Sequence, residues 1–135
     1  MLKHSLIHPE IMSVLAHCGH GDRILIADGN YPLASKSGGA VKVYLGLTED
    51  MPKVTDVLKV LHDSIAIEEA CVMTPPENED EPAIFREFRD ELDCELEGLD
   101  RWDFYARASE DDVILAISTG EKRVYANILL TVGVV

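Results

Sequence analysis

The chain has 135 residues, within the roughly 100–200 usual for one domain, so a single core is expected. With 47% hydrophobic and 27% charged residues it reads as an ordered globular chain. Its 12 Lys and Arg against 25 Asp and Glu leave a formal net charge of −13. With no basic cluster larger than Lys122-Arg123, that balance argues against nucleic acid as a partner.

Apolar runs such as Val113-Ile114-Leu115-Ala116-Ile117 fall well short of the ~18 residues a membrane helix needs, so no membrane partner is expected. Ser5, His8, Pro9 and Glu10 interrupt any secretory apolar region, and a cytoplasmic protein is expected. Cys18, Cys71 and Cys94 are odd in number and never in C-x-x-C spacing, which speaks against a disulfide framework or a structural zinc site.

In chain order, Pro9 suits a helix first turn, and Ile11, Val14, Leu15 and Cys18 recur at helical spacing until Gly19, predicting a helix over 9–18. Residues 23–28 form an unbroken apolar run ending in Asp28, the pattern of a strand buried on both faces. A loop from Gly29 to Gly39 leaves its carboxyl end. Residues 41–45 alternate as a strand. A helix beginning near Asp50-Met51-Pro52 carries Val54, Val57, Leu58 and Leu61 to about His62. Residues 66–73 are the next strand, stopped by Thr74-Pro75-Pro76 and an acidic stretch, Glu77 to Glu81, that reads as a solvated loop. Ile84, Phe85, Phe88, Leu92 and Leu96 place an amphipathic helix over 82–97, and a shorter helix follows over 100–109. Strands over 112–118 and 127–132 close the chain, and the short link between them allows one antiparallel pair. The alternation implies one indivisible α/β domain over 1–135, a three-layer α/β/α arrangement on a mixed, mostly parallel sheet. No Gly-x-Gly-x-x-Gly or Walker sequence follows a strand, so no nucleotide site is signalled.

The chemistry gathers around Gly19-His20-Gly21-Asp22 and the strand that delivers Asp28. His is the side chain whose unperturbed pKa lies nearest neutrality, so it gives and takes protons without a large environmental shift. His17 and His20 are three apart, but Gly19 breaks the helix between them and no third ligand is evident; no metal is expected. Structural readings stand beside the chemical ones. Asp28 could cap its own turn with Asn30, Tyr125 could be a core or interface aromatic, and Arg101 a first-turn surface charge.

Taken together, Gly19-His20-Gly21-Asp22, Asp28 with Pro32 four residues on, Phe104-Tyr105-Ala106-Arg107-Ala108, and Thr119-Gly120-Glu121 leading to Tyr125-Ala126-Asn127-Ile128 closely resemble the D-ribose pyranase and L-fucose mutarotase family over nearly the whole chain. The resemblance implies an isomerase that interconverts anomers or ring forms of a free monosaccharide in the cell, without metal or organic cofactor, and that assembles as a ring-like or decameric homo-oligomer. It places the proton-donor histidine on His20, a sugar-binding acid on Asp28, and further sugar contacts on Arg101, Tyr125 and Asn127. Arg101, where the ribose type carries His, together with Gly21 and Phe104-Tyr105, points to the fucose branch.

Mutarotation opens a pyranose to its aldehyde and recloses it on the other face, so a base takes the anomeric hydroxyl proton while an acid protonates the ring oxygen. Positioned acid–base groups worth about 10²–10⁴ in rate suffice for so easy a reaction. The expected roles are His20 as acid, Tyr125 as its partner if Arg101 or Lys122 lies close, and Asp28 and Asn127 as hydrogen-bonding groups for sugar hydroxyls. The expected function is an L-fucose mutarotase. The alternatives are a D-ribose pyranase and a non-catalytic monosaccharide-binding or transport-associated protein. Because His20 precedes the first strand and Asp28 follows it, the two should lie near opposite ends of that strand; a neighbouring subunit could supply part of the site, in which case activity requires assembly.

Overall fold

The computed structural model describes residues 1–135. In chain order it comprises α1 (Pro9–His17), β1 (Arg23–Ala27), β2 (Val41–Tyr44), α2 (Val54–His62), β3 (Ile67–Met73), α3 (Ile84–Glu91), β4 (Leu96–Leu99), α4 (Arg101–Ala108), β5 (Val113–Ser118) and β6 (Ile128–Val132). No helix is long and apolar enough to cross a membrane.

The strands form one sheet of six in the order β2-β5-β1-β6-β3-β4. β1 with β5, β2 with β5, and β3 with β4 are parallel, whereas β6 lies antiparallel between β1 and β3. The carboxyl ends of the five parallel-running strands therefore share one end of the sheet with the amino end of β6. This upper end carries every loop that follows a parallel-running strand.

The unbroken apolar runs have a simple cause. Successive strand residues point to opposite faces, so Ile24 and Ile26 of β1, Leu115 and Ile117 of β5, and Ile128 and Leu130 of β6 enter one core beneath α1, α2 and α3, with Val57, Leu58, Phe85 and Phe88. Leu25, Ala116, Leu129, Cys71 and Met73 enter a second core beneath α4, with Phe104, Tyr31 and Leu33. The three-layer α/β/α architecture is thus observed, with α4 and the loop after β1 forming the thinner outer layer. α1 starts with Pro9 in its first turn and with the His8 ring accepting from the Ile11 N–H at 3.2 Å. The Asp100 carboxylate caps α4 by accepting from the Asp103 N–H at 2.8 Å.

Three expectations are corrected. The helix expected over 82–97 ends at Glu91: Leu92 turns extended (φ −104°, ψ 140°) while staying buried, and Leu96 belongs to β4. The apolar spacing of Leu92 and Leu96 imitated a helical stripe, and a four-residue edge strand containing Gly98 offers too little alternation to be seen in sequence. The second helix begins at Val54, because the segment before it is irregular: Thr48 bridges to Met51, and the Lys53 N–H, at the helix start, donates to the Asp56 carboxylate at 2.9 Å. Finally, β5 and β6 are not partners. The link between them crosses β1, so β6 makes two antiparallel pairings, with β1 and β3, instead of the single one expected with β5.

Phe88 is fully buried and stacks on Phe85 with ring centroids 6.4 Å apart, joining α3 to the larger core. Phe88→Ala is expected to lower unfolding stability by about 3–5 kcal/mol, read from urea denaturation.

Candidate functional site

At the upper end, β1 hands its chain to Asp28 and β6 takes its chain from Asn127. The adjacency of the two strands, with Ile26 opposite Ile128, places these residues side by side. The Asp28 N–H donates to Asn127 Oδ1 at 2.8 Å, which fixes the Asn127 amide and leaves its NH₂ group as a donor. The Asp28 carboxylate accepts from the Asn30 N–H at 2.9 Å and from the Ala126 N–H at 3.3 Å. Burial pushes its pKa above the ordinary 3.8, and these hydrogen bonds offset part of that rise. The capping reading of Asp28 is therefore true as well: the residue holds its own turn while facing the cavity.

That cavity, of about 460 Å³, is lined by Asp28, Tyr31, Arg101, Tyr105, Tyr125 and Asn127 among others. Its aromatic wall sets Tyr31 edge-on to Tyr105 with ring centroids 5.4 Å apart, and Trp102, outside the lining, packs edge-on against Tyr105 at 5.9 Å. Tyr31 donates its hydroxyl to the Lys36 carbonyl at 2.7 Å, and burial pushes its pKa upward, so it serves as a fixed neutral donor. Carboxylate and guanidinium groups beside an aromatic wall make a cleft suited to a small polyhydroxylated molecule.

Tyr125 has φ +59°, left-handed backbone that costs a non-glycine residue about 1–3 kcal/mol and persists only where its surroundings hold it. The holding is visible. Thr119 Oγ1 donates to the Ala27 carbonyl at 2.8 Å, the Gly29 N–H donates to the Glu121 carbonyl at 2.8 Å, and the buried Glu121 carboxylate accepts from Arg123 Nε at 2.8 Å. Arg123 in turn reaches Glu87 on α3. Burial alone would raise the Glu121 pKa, but the Arg123 hydrogen bonds bring it below the ordinary carboxylate range. Gly120 is required sterically, because a Cβ there would lie 2.2 Å from the Thr48 carbonyl oxygen.

Asp28, Arg101, Tyr125 and Asn127 are thus brought to one cavity. Lys122 is not: its ammonium pairs with Glu49 at 2.7 Å and Asp50 at 3.6 Å, which leaves Arg101 as the cation sharing the cavity with Tyr125. His20 is not there either. It lies before β1, and five strand residues at about 3.3 Å each separate it from Asp28 by roughly 16 Å along the sheet. At that lower end its Nε2 sits 2.9 Å from Glu68, and its side chain is 58% exposed. Glu79 belongs to the acidic stretch read as solvated, yet it lines the cavity. Charge alone could not distinguish it from its neighbours; only the position of the loop over β3 does.

A scan of family models matches the RbsD / FucU transport protein family over residues 1–135. A D-ribose pyranase of Exiguobacterium sibiricum is 30% identical over 135 residues, covering all of this chain and 99% of its own length. A fucose mutarotase of Mus musculus is 35% identical over 141 residues, covering 95% of this chain and 90% of its own. The structure of Bacillus subtilis RbsD complexed with D-ribose superposes with a TM-score of 0.83 at 30% identity, covering all of this chain and 99% of the other.

The raised pKa of Asp28 has a definite sign for stability. The folded state favours its neutral form, so the cost of burying the charge is absent below about pH 3.8 and grows as pH rises through the raised value. Asp28→Asn is expected to raise Tm at neutral pH, with the gain vanishing toward pH 3, and calorimetry across pH checks it.

Proposed function

Because this chain belongs to the RbsD / FucU transport protein family, we propose that it is a cofactor-independent isomerase that interconverts the α and β anomers of a free monosaccharide. The observation that carries this reading is the convergence of Asp28, Arg101, Tyr125 and Asn127 on one cavity at the upper end of the sheet. In the ring-opening step the bond between the anomeric carbon and the ring oxygen breaks. Its electron pair goes to the ring oxygen, which takes a proton from the acid, while the anomeric hydroxyl loses its proton to a base as the aldehyde forms. Closure on the other face reverses both transfers. Asp28 and the Asn127 amide hold sugar hydroxyls, the Tyr31–Tyr105 wall covers a face of C–H groups, and Tyr125 is the group beside the cavity suited to the anomeric hydroxyl.

His20 is the acid, and in this reading it acts on the cavity of a neighbouring copy. The distance along β1 keeps it from its own chain's Asp28, and its ring is exposed at the opposite end. Val124 of the cavity lining is 61% exposed and Trp102, packed against the wall residue Tyr105, is 71% exposed; both are apolar surface for that neighbour to cover. The working form is accordingly a homo-oligomer, ring-like or decameric, in the cytoplasm.

L-fucose is the substrate we assign, on the ground that Arg101 rather than an imidazole stands in the cavity wall. D-ribose is the second reading, favoured by the D-ribose pyranase relative that matches the full chain and by the structural likeness to a ribose complex. Saturation-transfer NMR with both sugars separates the readings: anomer exchange of L-fucose supports the first, pyranose–furanose exchange of D-ribose the second, and binding of either without exchange shows a non-catalytic binding protein. His20→Ala is expected to lower the exchange rate by about 10²-fold or more without loss of folding. His20→Ala and Asp28→Ala proteins, each inactive, are expected to regain activity when unfolded together and refolded as a mixture. Failure of that mixture to recover, with oligomers formed, rules out a site shared between copies.

A further inference from the structure

The geometry points to Glu68 as the positioning residue that holds His20 with its proton on Nε2 and so makes Nδ1 the atom that exchanges the catalytic proton. This rests on His20 acting as the acid. Three observations support it. First, Nε2 lies 2.9 and 3.0 Å from the two oxygens of one carboxylate. A carboxylate oxygen accepts, so the nitrogen between them carries the hydrogen, and the lone pair or exchangeable proton of the neutral and charged ring is on Nδ1. Nδ1 has no bond to any group of its own chain, and the ring is free to present it outward.

Second, the sheet places an extra residue at this position. Ile67 pairs with Val132 and Glu69 with Thr131, so the β3–β6 register shifts across Glu68. A bulge of this kind takes one side chain out of the strict alternation and re-aims it, and such bulges gather beside active sites. Gly133 leaves the space: a Cβ there would approach the Glu68 Cβ to 3.2 Å and its Oε2 to 3.6 Å. Third, the histidine is fixed to the same strands. Gly21, with φ +89°, donates its N–H to the Val132 carbonyl at 2.9 Å; Val132 N–H donates to the Asp22 carbonyl at 2.9 Å; and the Gly19 N–H donates to the Asp22 carboxylate at 2.7 Å. The turn bearing His20 and the bulge bearing Glu68 are thus both tied to the carboxyl end of β6, on its two sides.

In catalysis the proton on Nδ1 of the charged ring passes to the sugar's ring oxygen as the carbon–oxygen bond opens and the anomeric hydroxyl gives its proton to the base; both transfers reverse on closure, while the other ring hydrogen stays on Nε2, donated to the Glu68 carboxylate throughout. The test compares wild type, Glu68→Gln, Glu68→Asp and His20→Ala using L-fucose and D-ribose as probes. Exchange NMR gives kcat and KM, and ring ¹⁵N shifts of labelled histidine give the tautomer. Glu68→Gln, which keeps shape and lets its amide present either an oxygen or an NH₂ to the ring, is expected to lower kcat about tenfold or more with KM unchanged, and to erase the preference for hydrogen on Nε2. Glu68→Asp, retaining the charge at shorter reach, is expected to recover part of kcat. Wild-type kcat in Glu68→Gln, or an unaltered tautomer, overturns the assignment of Glu68. Wild-type exchange in His20→Ala overturns the role of His20 instead, so the two failures are told apart.

Discussion

The hydrogen bond from the Asp28 backbone to the Asn127 side chain depends on β6 running against its neighbours, and most of the upper end of the molecule depends on that bond. A strand inserted antiparallel between β1 and β3 brings its amino end to the level where the parallel-running strands finish. Two residues 99 positions apart in the chain therefore become adjacent. The Asp28 carboxylate then accepts from Ala126, the residue following Tyr125, so the turn that aims the tyrosine is built on the carboxylate beside it. Removing the antiparallel insertion would leave Asp28 facing the end of another parallel strand, with neither the amide nor the phenol within reach.

The cavity is assembled against the fold's own preferences. A carboxylate is buried with its pKa raised, and a tyrosine is held in left-handed backbone. Such departures persist where the remainder of the structure over-determines them. Here the remainder is the Thr119–Glu121 segment, tied to β1 by the Ala27 and Gly29 backbone, and the run from Glu121 through Arg123 to Glu87 that anchors the loop to α3. The larger core beneath α3 thus steadies a loop whose side chains act on the opposite side of the sheet.

Much of this was legible in the sequence. The buried strands announce themselves because β1, β5 and β6 sit between two cores and are apolar on both faces, and Asp28 stands out as the charge that ends such a run. The resemblance names His20, Asp28, Arg101, Tyr125 and Asn127 together; the fold brings the last four to one cavity and leaves His20 beside Glu68 at the other end of the sheet. What could not be read is what depends on pairings distant in the chain. β4 is short, at an edge and contains glycine, so nothing local marks it. The insertion of β6 between β1 and β3 is decided by which strand edges remain open, not by the length of the link before it. Glu79 and Glu68 are two acids among 25 Asp and Glu, and each is singled out only by the strand that carries or precedes it.

The extra residue in β3 serves only the pair it aims. Past Glu68, parity along the strand decides that Ala70 and Val72 look toward one core while Cys71 and Met73 look toward the other, and Met73 continues into the cavity wall. Because Ala70, Cys71 and Val72 stay paired with Leu130, Leu129 and Ile128, shortening β3 by one residue at the bulge would leave those facings and Met73's place in the cavity wall unchanged while taking the carboxylate away from His20.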